Sequence, residues 1–220
     1  MWYRARNPLP ATVVIVALTA VAGLVWVGVL NQPDPTAGGC VAAAAGATGS
    51  SVSPVPMRYG QRLPADGLDP VAPAPPQHAV VRVLNANGER GEAGIVASGL
   101  ASLGFVPSAE PTNDPLYPGF DLRCHGEIRF GPTGQAAART LSLAVPCAEL
   151  VRDTRPDAVI DLALGTEFVD LRPNDAAREA LQSLVRLGEP MLPTPGGQAA
   201  GAAVPAVDSD TLHDARQVSC

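Results

Sequence analysis

The hydrophobic positions of the chain form one long uninterrupted run, followed much later by several short periodic ones. The long run covers residues 11–30, which include no charged side chain. In a helix that rises about 1.5 Å per residue, a run of this length covers about 30 Å, the thickness of the hydrocarbon layer of a bilayer. Residues 11–30 are therefore predicted to form a transmembrane helix.

The placement of arginines predicts the orientation of this helix. Arg4 and Arg6 lie in the leader 1–10, and the next arginine is Arg58. Because positive charges accumulate on the cytoplasmic side, the leader is predicted to be cytoplasmic and the remainder extracytoplasmic. The predicted location is the plasma membrane, crossed once. A cleaved signal peptide is the alternative, although the apolar region of such peptides is usually about 7–15 residues.

Residues 31–78 are rich in Pro, Ala, Gly and Ser, with Tyr59 as the only aromatic residue. Such a composition supplies too few apolar side chains for a core. Pro-rich segments are extended, at about 3.1 Å per residue. The segment is therefore predicted to be an extracytoplasmic linker that holds a domain clear of the bilayer.

A folded domain is predicted over residues 79–188. Its first strand is the β-branched run 79–84, which ends in turn residues, and apolar residues from Ala93 to Leu103 then recur at helical spacing. The pattern continues with strands at 105–109, 127–130 and 158–165 and helices at 131–144 and 173–187. This alternation indicates an α/β fold, a small sheet with helices packed on it. The tail 189–220 is rich in Pro and Gly, with two helical turns predicted within 210–217.

Charge restricts the partners of the extracytoplasmic part. The chain has 15 arginines, no lysine and 21 acidic residues, for a net charge of −6. Beyond residue 30 there are 13 arginines and all 21 acids, so that part carries a charge of −8. This balance excludes nucleic acid as a partner and disfavours contact with anionic lipid headgroups and acidic polymers.

Four cysteines, Cys40, Cys124, Cys147 and Cys220, fall on the predicted extracytoplasmic side, where disulfides persist. Four cysteines allow three pairings. Cys124 and Cys147 bracket one predicted strand and helix whose two ends return to the same edge of a sheet, so we predict that they pair. Cys40 and Cys220 would then form a second disulfide that joins the tail to the linker. No C-x-x-C spacing is present, and we predict no metal site and no cofactor.

The turn after the first strand contains three glycines. They are Gly88, Gly91 and Gly94, spaced G-x-x-G-x-x-G rather than the G-x-G-x-x-G of a dinucleotide site. Glu89 and Glu92 also lie where a pyrophosphate would need neutral or positive surroundings. We therefore interpret the glycines as positions that permit positive φ in a tight turn and close packing of the following helix.

Residues suited to catalysis are few. The motifs G-x-S-x-G, H-E-x-x-H and S-x-x-K do not occur. Asp153, Asp157 and Asp161 are candidates for paired acid–base chemistry, but we interpret them as solvated acids of loops and strand ends. Arg129 lies inside a predicted strand, where we predict an ion pair with Glu127 or Asp161, a bound anion being the alternative. We predict no catalytic residue and no enzymatic activity.

Several blocks of sequence together resemble a known family. Val83-Leu84-Asn85-Ala86, followed by Gly88, Gly91 and Leu103-Gly104-Phe105, resembles the start of the LytR C-terminal domain, an accessory module of cell-wall ligases. Further blocks, in the same order, are similar to those of actinobacterial envelope integrity proteins: 113–117, 122–124, 128–131, 145–150 and 161–166. The resemblance covers residues 80–187 and extends to the anchor, the Pro-rich linker and a terminal cysteine.

This resemblance implies an anchored extracytoplasmic α/β domain that supports the integrity of a mycolate-type envelope. It also implies a ligand-binding central cavity, and the residues that would line it are equally those of an ordinary core: Val83, Asn85, Leu100, Ile128, Phe130 and Leu141. Ligase chemistry is not implied, because the catalytic domain of the LytR ligases has no counterpart here. We predict a non-enzymatic binding or scaffold module for an envelope polymer, lipid or protein. The alternative is an accessory subunit acting in trans with a LytR-type cell-wall ligase.

Overall fold

A computed structural model describes residues 40–42, 60–189 and 207–220 of the chain. The predicted leader 1–10 and transmembrane helix 11–30 lie outside the described residues. Within the part that is described, no helix is both long enough and apolar enough to cross a membrane.

The strands form a mixed sheet and a separate two-stranded one. In chain order they are β1 (Val41–Ala42), β2 (Gln61–Leu63), β3 (Val80–Asn85), β4 (Val106–Pro107), β5 (Thr112–Asn113), β6 (Leu122–Arg123), β7 (Gly126–Phe130), β8 (Glu149–Arg152) and β9 (Ile160–Leu164). The large sheet has the order β2, β8, β7, β9, β3, β4, with β5 beside the end of β3, and β1 pairs with β6. β9 runs parallel to β3, whereas β7 runs antiparallel to β9. The predicted α/β class is confirmed, with a mixed sheet.

Helices cover one face of the large sheet. They are α1 (Glu92–Ser102), α2 (Gln135–Ala144), α3 (Asp175–Gly188) and, in the tail, α4 (Ser209–Asp214), with 3-10 turns at Pro76–His78 and Pro132–Gly134. Most residues whose spacing predicted the first three helices are buried: Ala93, Val96 and Leu100 in α1, Ala137, Leu141 and Ala144 in α2, and Ala177, Leu181 and Leu184 in α3. Ala97 and Leu103, also part of the first pattern, are partly buried against the core. Asn174 begins α3 because its side chain accepts the backbone N–H of Ala177 at 2.8 Å.

Alternation along the central strands separates an apolar face from a charged one. In β7, Ile128 and Phe130 belong to the main core beneath the helices. Glu127 and Arg129 alternate with them and therefore point to the opposite face. There they meet Tyr117, which belongs to a second, smaller cluster of buried residues. The two faces of the sheet thus have different chemistry.

The predicted linker 31–78 is wrong for its last residues, because residues 60–78 belong to the folded unit. β2 pairs with β8 along the edge of the sheet, and Leu68 is fully buried in the main core. The Oγ1 atom of Thr140 donates to the carbonyl of Ala74. Few apolar side chains are needed here, since the edge of β8 supplies backbone partners and Leu68 enters the core with Leu63 and Val71 packed against it.

Both disulfides are present, but the predicted pairing is wrong. Cys40 pairs with Cys124 at a Cα–Cα distance of 4.8 Å, and Cys147 pairs with Cys220 at 5.6 Å. Cys124 and Cys147 do precede the neighbouring strands β7 and β8. Both nevertheless bond to cysteines in segments that lack a strong sequence pattern. The antiparallel pairing of β1 with β6 brings Cys40 to Cys124, and the C-terminal tail brings Cys220 to Cys147.

Candidate functional site

A row of side chains crosses the charged face of the large sheet. The strand register places Arg62 beside Val151, Val151 beside Arg129, Arg129 beside Asp161, and Asp161 beside Arg82. Arg62 and Arg82 lie at the two ends of the row and are exposed, whereas the three residues between them are buried. Charges of opposite sign therefore alternate over much of this face.

Arg129 is the centre of a buried polar cluster. Its Nη2 atom lies 2.8 Å from Oδ2 of Asp114, and its Nε atom donates to Oε2 of Glu127 at 2.8 Å. The guanidinium also lies 5.4 Å from the ring centroid of Tyr117, whose hydroxyl donates to the other oxygen of Glu127 at 2.9 Å. Burial and the charge of Glu127 raise the pKa of Tyr117, so it remains a neutral donor. The predicted pairing of Arg129 with Glu127 is confirmed.

Asp161 is held by two other arginines. Arg82 donates from Nε and Nη2 to its two oxygens at 2.7 and 2.9 Å, and Arg155 donates from Nη2 at 2.8 Å. Burial alone would raise the pKa of Asp161, but the two arginines outweigh it and lower the pKa. Our interpretation of Asp161 as a solvated acid is wrong. Asp153 pairs with Arg155, and Asp157 is the exposed member of the trio.

Glu149 and Arg62 bind the backbone of Cys40. Oε1 of Glu149 accepts the backbone N–H of Cys40 at 2.7 Å, and Arg62 donates to the carbonyl of Cys40. Burial raises the pKa of Glu149. Sγ of Cys40 lies near the carboxylates of Glu149 and Glu127, a grouping that could suit a metal ion. Because that sulfur is in a disulfide and an arginine lies against each carboxylate, these residues do not form a ready metal site.

The charged face therefore serves packing better than proton transfer. Arginines that pair with a carboxylate lower its pKa, so it stays ionised. Such a carboxylate is a poor general acid or base near neutral pH. Asp161 is in this position, because Arg82 and Arg155 lower its pKa against the effect of burial. The ion pairs of this face hold neighbouring strands together and fix the loop around Tyr117 on the sheet.

A groove runs along helix α1 beside its buried stripe, and Val96 belongs to both. It has a volume of about 400 Å³ and is lined by α1 residues and by the segment after β9. We call it the α1 groove. Ile95 and Val169 stand at its sides, each 75% exposed, while Phe168 is buried beneath it. Four charged residues also line it: Glu89, Arg90, Glu92 and Asp170. A concave surface that combines apolar side chains with a few polar groups is the usual form of a binding site.

The loop between β3 and α1 is held in a fixed shape beside this groove. Oδ1 of Asn85 accepts the backbone N–H groups of Asn87 and Gly88, and Nδ2 of Asn87 donates to the carbonyl of Gly165. Gly88 and Gly91 have φ values of +86° and +82°, so the predicted turn glycines are confirmed at these two positions. The α1 groove therefore has one rigid wall.

The six residues predicted to line a ligand cavity do not come together around the α1 groove. Five are buried in the main core beneath the helices: Val83, Leu100, Ile128, Phe130 and Leu141. The sixth, Asn85, lines a separate surface pocket of about 370 Å³ beside the first turn of α1. Ile95 and Val169 were missed. The sequence alone could have identified Ile95 as an exposed apolar residue, because it lies outside the stripe of Ala93 and Val96 that α1 buries.

Comparisons with known proteins are consistent with this fold. Residues 78–168 match the LytR_C family, described as LytR cell envelope-related transcriptional attenuator. The chain is 40% identical over 184 residues to the cell envelope integrity protein Cei of Mycobacterium tuberculosis, covering 83% of this chain and 82% of that protein. It is also similar to the crystal structure of the soluble domain of a conserved hypothetical secreted protein from Mycobacterium marinum, at 38% identity and a TM-score of 0.61, over 74% of this chain and 99% of that one.

Proposed function

Because the chain belongs to the family of the cell envelope integrity protein Cei, we propose that it is a single-pass, membrane-anchored binding module that supports the cell envelope from the extracytoplasmic side. The apolar run 11–30 and the arginines of the leader support the anchor and its orientation. Two disulfides fit an oxidising compartment.

The α1 groove is the observation that carries the binding role. Soluble proteins bury most large aliphatic side chains, yet Ile95 and Val169 are exposed in a groove that also contains Phe168 and Leu171. Covering them would remove apolar area from water, which favours association at about 25 cal/mol per Å² before the costs of binding. The partner is an envelope lipid, polymer or protein that presents an apolar surface to this groove.

A non-enzymatic role is supported by the chemistry of the charged face. Asp161 of β9 and Glu127 of β7 are buried, each is paired with an arginine, and Arg82 and Arg155 lower the pKa of Asp161. Their function in this proposal is to stabilise the scaffold that presents the α1 groove. No cofactor enters the proposal.

Position-specific crosslinking in intact cells tests the groove. A photoreactive amino acid at Val169 is compared with one at Val106, which is also exposed but lies at the other end of β3, where β4 pairs with Val80. The Val169 label is expected to capture an envelope component that the Val106 label does not. Equal capture at both positions would contradict a binding role for the groove.

A second candidate is the accessory subunit that acts in trans with a LytR-type ligase. The match of residues 78–168 to the LytR_C family favours it. The same crosslinking experiment separates the two roles. A ligase among the products at Val169 supports the accessory subunit, whereas lipid or glycan without protein supports direct binding.

A further inference from the structure

The disulfide at Cys40 shortens the connection between the folded unit and the predicted anchor. The apolar run ends at Leu30, and only residues 31–39 separate it from Cys40. Fully extended, a segment of this length reaches at most about 30 Å. A folded unit of this size is about 40 Å across. With the anchor of the proposed function, Cys40 therefore lies within about 30 Å of the outer end of the apolar run, which is less than the width of the folded unit.

Hydrogen bonds identify which end of the folded unit this is. Cys40 is bonded to Cys124, and the backbone N–H of Glu167 donates to the carbonyl of Cys124 at 2.9 Å. The backbone N–H of Leu122 donates to the carbonyl of Ala86 at 3.3 Å. Cys40 thus lies at the end of the sheet where β3 and β9 finish and β7 starts. We call it the Cys40 end.

Exposed apolar side chains are concentrated at the Cys40 end. Among the described residues, the large hydrophobics that are exposed are Ile95, Val106, Phe120 and Val169. Ile95 follows β3, Val169 follows β9, and Phe120 lies on the loop that packs against the ends of these strands. Val106 lies at the far end, beside the start of β3. The side chain of Phe120 lies against Gly88, the residue before Glu89, which lines the α1 groove.

Phe120 is held in this exposed position by its backbone. Among the described residues, Phe120 is the one non-glycine residue with a positive φ, at +55°. An aromatic residue in that conformation is strained. The backbone N–H of Phe120 donates to the carbonyl of Tyr117 at 2.9 Å, and Tyr117 is anchored in the buried cluster. The ring is therefore presented outward by a fixed turn.

We propose that the Cys40 end docks on the outer surface of the plasma membrane, with Phe120, Ile95 and Val169 entering the headgroup region. This inference rests on the anchor of the proposed function and names the envelope component that covers the α1 groove as membrane phospholipid. Aromatic and aliphatic side chains partition favourably into the bilayer interface. The exposed charges of this end are mixed, with Arg90 and Arg123 beside several acids. Docking therefore depends on apolar burial and on the high local concentration that the short connection imposes.

Tryptophan fluorescence of the full chain in vesicles tests the proposal. The two native tryptophans, Trp2 and Trp26, are replaced by phenylalanine, and a single reporter is introduced as Phe120→Trp or, as the matched control, Val106→Trp. Each chain is reconstituted into phosphatidylcholine vesicles with or without doxyl-labelled phosphatidylcholine. The Phe120→Trp reporter is expected to shift to shorter wavelength and to be quenched by the label, whereas the Val106→Trp reporter keeps its emission.

Two further readouts separate the causes of failure. Flotation of the vesicles after an alkaline wash reports the anchor: loss of the protein overturns the anchor and with it the docking. Retained protein with an unquenched Phe120→Trp reporter overturns the docking alone. Inserting about twenty Gly and Ser residues between Thr36 and Ala37 lengthens the connection without touching the disulfide, and quenching is expected to fall. Unchanged quenching would overturn the role of the short connection.

Discussion

Cys40 and Cys124 join two distant parts of the chain immediately beside the paired residues Val41 and Arg123. The bond fixes the first described residues across the charged face of the sheet. Glu149 and Arg62 bind the backbone of Cys40 on both sides, so the covalent link and the polar contacts hold the same segment.

Replacing Cys40 with serine is expected to destabilise the protein. In the chain-entropy model, a link across a sequence separation of 84 contributes up to about 4.5 kcal/mol to the free energy of unfolding. Urea unfolding of the purified chain measures the loss. Peptide mapping without reduction is the companion measurement, and a peptide that joins Cys124 to Cys147 would refute the observed pairing.

Arg129→Met is expected to cost about 3–5 kcal/mol in the free energy of unfolding, because it leaves the buried carboxylates of Asp114 and Glu127 without their cation. Arg172→Met is the matched control. Arg172 pairs with Asp170 on the surface, where such a pair contributes about 0–1 kcal/mol. Similar losses in the two variants would mean that the buried cluster does not stabilise the fold.

The contribution of Asp161 is expected to depend on pH. Its pKa is lowered by Arg82 and Arg155 against the effect of burial, so its stabilisation is complete above the unfolded pKa of about 3.9 and is lost as the pH falls through the folded pKa. Asp161→Asn should cost about 2 kcal/mol at neutral pH, less than for a fully buried pair because water reaches Arg82. Unfolding at pH 7 and at about pH 3 checks this. A cost that stays the same at both pH values would argue against the ion pairs.

Two glycines are expected to respond in opposite ways to alanine. A Cβ atom at Gly165 would overlap the carbonyl oxygen of Cys124, so Gly165→Ala should destabilise the protein by about 2–3 kcal/mol. A Cβ atom at Gly94, inside α1, would meet nothing within 4 Å, so Gly94→Ala should stabilise it by about 0.5–1 kcal/mol. Thermal unfolding distinguishes them. A stabilising Gly165→Ala would show that the loops at the Cys40 end are not packed as described.

Strong periodic patterns made the central elements predictable. β3, β7 and β9 and the helices α1 to α3 each contain several apolar residues at a regular spacing, so local sequence was sufficient. β1, β2 and β6 have only two or three residues and exist through pairing with distant segments. β8 was missed because Leu150 and Val151 are only two apolar residues between charged ones.

The site was harder to predict for the same reason. Ile95 could be recognised as an apolar residue outside the buried stripe of α1, but its meaning depends on Val169, which comes from a loop much later in the chain. The disulfide pairing likewise depends on where short segments return. Arg129 was an exception, since a charge inside a buried strand requires a neighbouring partner, and Glu127 lies two residues away on the same face.

Envelope permeability in a strain that lacks its own copy of the gene tests the central claim most directly. The strain is complemented with the wild-type chain, with Val169→Asp or with the control Val106→Asp, at equal protein levels on an immunoblot. A charge in the α1 groove should abolish its apolar contact and leave the envelope permeable, while Val106→Asp restores the barrier as the wild type does. Full restoration by Val169→Asp would contradict the account.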